Sequence, residues 1–213
     1  MKKIMFNDRY GLTQAVLDEK KTMTRRIIKG DFEDIKVYNA NCDWHFIAET
    51  KDGDSVEIKP TYQIGEEVAV AQSYKTLIEQ GYLCRESDGW VNEEYCTSPG
   101  YLNKMFVRAD LMPHRIRITD ICVERLQDIS DEDCIKEGLL AGEQEPRMYG
   151  FRLPKGTVVS FLTPREAFAA LIDRISGRGI WQRNPWVFVY GFRKEECRRI
   201  QLRKYIKVIT KHE

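Results

Sequence analysis

"HRIRITDICVERLQDISDEDCIKEG", residues 114–138, carries two periodicities in succession. Ile116 and Ile118 alternate with Arg115 and Arg117, and after a break Ile121 and Val123 resume the alternation. That period of two is the pattern of a long half-buried strand, with a bulge expected near Asp120. Ser130 then stands three residues before Asp133, a capping-box-like start for "DEDCIKE", and Gly138 supplies a natural stop. A long strand running into a short helix places the chain in the α+β class.

The flanking sequence repeats both signals. Downstream, "TPREAFAALIDRISG" (163–177) has Thr163 to cap, Pro164 in the first helical turn, and Phe168, Leu171, Ile172 and Ile175 as an apolar stripe. "NPWVFVYGF" (184–192) is apolar on both faces and reads as a buried central strand. Upstream, "GEEVAVAQSY" (65–74) reads as a strand with Val68 and Val70 on one face. The two runs flanking Asp52-Gly53 in "DWHFIAETKDGDSVEIKP" (43–60) read as a hairpin with a tight turn. "GLTQAVLDEKK" (11–21) puts Leu12, Ala15, Val16 and the stem of Lys20 at helical spacing. Residues 76–104 and 140–162 lack strong periodicity and read as insertions on a β-rich core whose sheet is antiparallel or mixed and barrel-like.

At 213 residues the chain reads as one domain over 1–192, followed by a basic extension over 193–213 that carries eight Lys/Arg against three Glu. Over the whole chain 34 Lys+Arg oppose 33 Asp+Glu, so no global field marks a nucleic-acid partner, and any such partner must be gripped locally. The six cysteines form no CxxC pair, and His45, His114 and His212 share no ligand spacing, so reduced thiols and no metal site are expected. No apolar run is long enough to span a bilayer or to form a signal segment, which points to a cytoplasmic protein with no membrane partner. P-loop, dinucleotide and Ser-His-Asp patterns are absent, and no cofactor is implied.

Chemistry concentrates in "KKTMTRR", residues 20–26. As a strand this stretch would put Thr22, Thr24 and Arg26 on one face, with Lys21 and Arg25 on the other; as a helical turn it would bring Lys21 and Thr24 together. Such runs are ordinarily solvated, but hydroxyls set among cations suit phosphate or nucleotide oxygens. The spacing of Lys21 and Thr24 favours the turn, aiming both into one pocket. Glu137 ends a helix, where the negative end of the macrodipole and partial burial both favour the neutral carboxyl and hence proton transfer, although a plain surface glutamate fits the same position. Of the aromatic residues around 181–192 most belong to a core, and Trp186 alone reads as a pocket residue.

Three blocks together resemble a known family. "KKTMTRRI" is similar to the K-T-x-T-R-R signature of ASCH-domain proteins, and "MPHRIRITDICVERLQDISDEDCIKEGL" resembles the middle block of a subgroup common in phage and prophage genomes. "AFAALIDRISGRGIWQRNPWVFVYGF" resembles that subgroup's C-terminal block. The resemblance covers residues 1–30 and about 64–192 and implies a PUA-like fold that recognises RNA or a modified nucleoside. A small bacterial member hydrolyses the amide of N4-acetylcytidine, and position by position the resemblance implies Lys21, Thr24 and Glu137 as its catalytic groups. Lys21 would act as base, Thr24 as nucleophile or water-positioner, and Glu137 as proton shuttle. Where the subgroup carries Val-Arg-Glu this chain has Val70-Ala71-Gln72, and Met112-Pro113-His114-Arg115 replaces a Met-Pro-Arg-Trp form. Thr22, Arg25, Arg26, Gln72, Tyr74, Arg115 and Trp186 are the candidate substrate or nucleic-acid contacts.

The rival expectation is a non-catalytic RNA- or DNA-binding module of a phage or mobile element. Arg25, Arg26 and Arg115 would then meet phosphates, Trp186 or Tyr74 would stack on a base, and the basic tail would add affinity. A third, an accessory protein that binds another protein, draws only on the unpatterned 76–104 segment.

Overall fold

Val187, Phe188, Val189, Tyr190 and Phe192 are all buried, so the stretch that reads as apolar on both faces is a strand covered on both. The computed structural model describes residues 1–40, 43–83, 91–144 and 146–196. In chain order the regular elements begin β1 (Lys3–Ile4), α1 (Leu12–Leu17), β2 (Met23–Ile27), β3 (Phe32–Ala40), β4 (Asp43–Thr50), β5 (Ser55–Ile58) and β6 (Glu67–Val70). They continue α2 (Tyr74–Glu79), α3 (Glu93–Thr97), β7 (Arg115–Arg125), α4 (Asp131–Lys136), β8 (Leu140–Ala141), β9 (Tyr149–Arg152), β10 (Val158–Phe161), α5 (Pro164–Ser176), α6 (Ile180–Arg183) and β11 (Trp186–Lys194). The chain is α+β, and among the described residues the strand pairings close no barrel.

The chain divides into two compact units. Among the described residues the first comprises Met1–Phe6, Glu67–Arg117 and residues 194–196. Here β1 pairs parallel with β6, and β6 pairs antiparallel with the first residues of β7 in the register Val68↔Ile116. Val68, Ala69, Val70 and Ala71 are all buried, so β6 is covered on both faces and not only on the valine side. Ala69, Ala71, Tyr74, Leu77, Leu83, Val107, Leu111 and Met112 form its core. The stretch over 76–104 is therefore partly structural: α2, capped by Ser73 Oγ accepting from Thr76 N at 3.1 Å, delivers Leu77 into that core. Residues 84–90 of that segment, and the basic extension from 197 onward, lie outside the described residues.

The second unit comprises Asn7–Glu66 and Ile118–Arg193. In it β11 lies between β2 and the later residues of β7, pairing antiparallel with β2 in the register Tyr190↔Thr24 and Val189↔Arg25. The expected Asp52-Gly53 hairpin is present as β4 and β5, with Gly53 at φ +85°. No local pattern marks β3, which pairs with β4 from Phe32↔Thr50 to Ala40↔Asp43. Residues 140–162, expected as an unpatterned insertion, instead build a three-stranded sheet in the order β10-β9-β8. Strands of two and four residues are too short for alternation to register.

Both expected helix starts are present. Ser130 Oγ accepts from Asp133 N at 3.1 Å, and Thr163 and Glu166 form a full capping box. Phe168, Leu171 and Ile172 face the interior from α5, as the stripe requires, with Ile175 half-buried at its end. The first helix is shorter than its pattern: it stops at Leu17, and Lys20 is exposed.

Candidate functional site

The backbone between α1 and β2 is shaped by two hydrogen bonds to a single carbonyl, since Lys20 N and Lys21 N both donate to Ala15 O at 2.9 Å. Glu19, at φ +61°, makes the reversal that this requires. Thr22 N then donates to Lys136 O at 3.0 Å, tying the strand entrance to the end of α4. Gly138, at φ +99°, ends α4, and a Cβ there would stand 3.2 Å from Lys21 Cβ and 3.3 Å from Lys21 Cδ. The glycine thus serves as helix stop and as the space into which the lysine stem packs.

These elements bury an ion-pair cluster. Lys21 is 2% exposed, and its ammonium donates to both the Glu137 carbonyl at 2.6 Å and Glu137 Oε2 at 2.5 Å. Arg25 Nη1 donates to Glu137 Oε1 at 3.3 Å, Arg25 Nε to Glu124 Oε1 at 2.7 Å, and Arg25 Nη2 to Asp133 Oδ2 at 3.2 Å. Burial pushes the Lys21 amine below the ordinary lysine value; Glu137 pulls it back up, and Arg26 and Arg25 push it down again. Burial alone would lower the Arg25 value, but Glu137, Glu124 and Asp133 outweigh it and raise it. An amine whose charge is disfavoured by its surroundings, held against a carboxylate, is a pair through which a proton can move.

The expectation of a turn over 20–26 is overturned. Residues 23–27 are strand, with Tyr190 and Val189 opposite Thr24 and Arg25, because the unpaired edge of β11 offers this stretch a full antiparallel ladder. Strand alternation puts Thr24 and Arg25 on opposite faces of β2, and it is Arg25, not Thr24, that reaches Glu137 beside Lys21. Thr24 is buried, and its hydroxyl hydrogen-bonds to none of the described residues. Thr22 and Arg26 are half-buried. Arg25 is turned to three carboxylates rather than towards solvent, which places it poorly for a phosphate. The Arg125 guanidinium lies 4.3 Å over the Trp186 ring, and Trp186 Nε1 donates to Phe32 O at 3.1 Å, so one stacking face of this tryptophan is already covered.

Three candidates belong to the first unit. Gln72 is 3% exposed and donates through Nε2 to Gln80 Oε1 at 3.0 Å. Tyr74 is buried inside the core, with its ring 4.9 Å from that of Tyr95. Arg115 pairs with Glu67 through Nη1. Glu124 and Asp133, the two further carboxylates on Arg25, carry no sequence signal of this role: one reads as the solvent face of a strand, the other as a capping position, and neither local role reveals a partner about a hundred residues away. Among the described residues no group of three or more His, Cys, Asp or Glu is arranged to hold a metal ion, and no helix is long and apolar enough to cross a membrane. Comparison with protein-family models, with curated proteins and with solved structures finds no match to this chain.

Proposed function

We propose that this chain is a nucleoside- or RNA-recognising protein of the ASCH type with a PUA-like arrangement, and that Lys21 and Glu137 form the proton-transfer pair of an amidohydrolase acting on N4-acylated cytidine. The observation that carries this reading is the 2.5 Å contact of a buried lysine with a buried carboxylate 116 residues away in the chain. Water adds to the acyl carbon while the unprotonated Lys21 amine takes its proton. The C–N bond then breaks, the proton passes through Glu137 to the leaving exocyclic amine, and a carboxylic acid and cytidine result. Thr24, on the other face of β2 from Arg25, fits a role in orienting the base or the water better than one as nucleophile.

Lys21→Ala and Glu137→Gln should each abolish release of cytidine from N4-acetylcytidine in a mass-spectrometric assay, and Thr24→Ala should reduce it. Undiminished turnover in both of the first two variants removes the catalytic reading. Mutual satisfaction of the buried charges favours a second reading, a non-catalytic RNA- or DNA-binding module in which the cluster only locks α4 to β2. That module binds nucleic acid with an affinity that falls steeply with salt and releases no product from acylated cytidines.

A further inference from the structure

Leu102, Met105 and Phe106 are 75%, 55% and 58% exposed, three large apolar side chains turned to solvent within five residues of the first unit. The last two lie on a 3-10 turn, Lys104–Phe106. The N-terminal segment is clamped beside that turn. Lys3 Nζ donates to the carbonyls of Lys104 at 3.3 Å, Met105, and Val107 at 2.8 Å, and Lys104 Nζ donates back to Phe6 O. Along this segment Ile4 and Phe6 are buried while Met5, between them, is exposed, as strand alternation requires. The lysine clamp therefore holds two stretches that carry exposed apolar side chains against each other.

Grouped exposed apolar side chains mark a docking surface, and the charge around these ones selects its occupant. The two stretches, "KKIMF" (2–6) and "LNKMFV" (102–107), carry three lysines and no carboxylate, and the carbonyls that hold Lys3 and Lys104 do not cancel their charge. A second copy of the chain would set like charge against like charge. A stable protein interface takes roughly 20–30 residues a side, far more than these few side chains supply. A lipid interface asks only for a few apolar side chains among cations, on a backbone that can leave water. That backbone is present: the amides of Met105, Phe106 and Val107 donate to Asn103 Oδ1, Asn103 O and Lys104 O at 3.0, 3.1 and 3.4 Å, and the carbonyls of 104, 105 and 107 accept from Lys3. We propose that this surface docks on an anionic lipid bilayer, with Leu102, Met105 and Phe106 entering the interface and Lys2 and Lys104 facing headgroup phosphates. Such a contact lies on the bilayer and needs no spanning helix. None of these residues takes part in the Lys21–Glu137 chemistry, so the proposal stands apart from that reading.

The test floats the full chain with vesicles of equimolar phosphatidylcholine and phosphatidylglycerol, and with vesicles of phosphatidylcholine alone. The wild type should float with the anionic vesicles and not with the neutral ones. Replacing Leu102→Ser and Phe106→Ser together should weaken that flotation by about tenfold or more, because the apolar area that leaves water is lost. Lys2→Glu should weaken it as well. Both variants keep every basic residue from 197 onward, so a loss belongs to this surface and not to the tail. Their denaturation midpoints should match the wild type, since the substituted side chains are exposed. Phe106→Trp should shift its emission to the blue on anionic vesicles, read as the difference from the wild type. The proposal is overturned if the wild type does not float with anionic vesicles, if it floats equally with neutral ones, if the double serine variant floats like the wild type, or if the Phe106→Trp emission does not move. It is also overturned if the double serine variant has a markedly lower midpoint, which would mean that these side chains pack against the protein. A wild-type dimer in sedimentation velocity that the double serine variant dissolves would overturn it too, assigning the surface to a second copy.

Discussion

Glu137 holds two cations at once, and its removal would strand both. Leaving Lys21 and Arg25 with an uncompensated buried charge should cost about 3–5 kcal/mol in a chemical-denaturation experiment on Glu137→Ala, whereas Lys21→Met, which removes a charge and keeps the volume, should cost much less. The sign of the pH dependence follows from Lys21. Its folded-state value lies below the ordinary 10.5, so the unfolded chain binds the proton more tightly and the lysine's contribution to stability rises as pH climbs towards that value. Measured against Lys21→Met, the wild type should therefore gain stability from neutral to alkaline pH, and a loss over that range would contradict the assignment. Burial pushes the Cys122 thiol up to about 11 and the Cys134 thiol up to about 12, with neighbouring carboxylates adding to the effect at both. Both should be alkylated slowly at pH ~8.5 in the folded protein and fast after denaturation, as read by mass spectrometry. The residue types at 21, 24, 25 and 137 were legible as chemistry before any fold was known, but their grouping was not. Lys21 and Arg25 meet Glu137, and Thr24 does not, because β2 is a strand.

Elements with strong local signals behave as isolated physics predicts. Thr163→Ala removes one half of the capping box on α5 and should cost about 1 kcal/mol. Gly138→Ala acts on the end of α4 and on Lys21 together, forcing a side chain to φ +99° and crowding the lysine stem, so its denaturation midpoint should fall further than that of Thr163→Ala. The strand β11 was legible because nine residues give the apolar pattern room to show on both faces. The short β8, β9 and β10 were not, and their sheet depends on a contact that no local pattern announces. Gly150 sits in the middle strand where a Cβ would lie 2.0 Å from Val159 O, so only glycine lets β9 and β10 close together. The strand β3 failed to register for a different reason: Val37 and Tyr38 are successive and both exposed, which erases the in-out alternation that marks a half-buried strand.

Across the molecule, each unit is assembled from segments far apart in the chain. In the first, Ala69 N donates to Lys2 O at 3.1 Å and Ala71 N to Ile4 O at 2.9 Å, while Ile4 and Phe6 are buried. Deleting residues 1–6 should speed hydrogen exchange at the Ala69 and Ala71 amides by more than about tenfold, because two apolar side chains worth about 1.5–3 kcal/mol each leave the core and the edge of β6 loses its partner. In the second, Phe192 N donates to Thr22 O at 2.9 Å and Thr61 N to the Tyr190 hydroxyl at 2.9 Å, so the central strand gathers both halves of that unit. Local pattern settled the α+β class, both capped helices, the hairpin at Asp52-Gly53 and the burial of β11, because caps, turns and periodicity act within a few residues of one another. Long-range packing settled the rest: that residues 23–27 pair as a strand with β11, that Gln72 is buried against Gln80 at the end of α2, and that Glu137 meets Lys21 and Arg25 across more than a hundred residues. A buried charge has no periodicity, and its partner is chosen by which elements the sheet brings side by side.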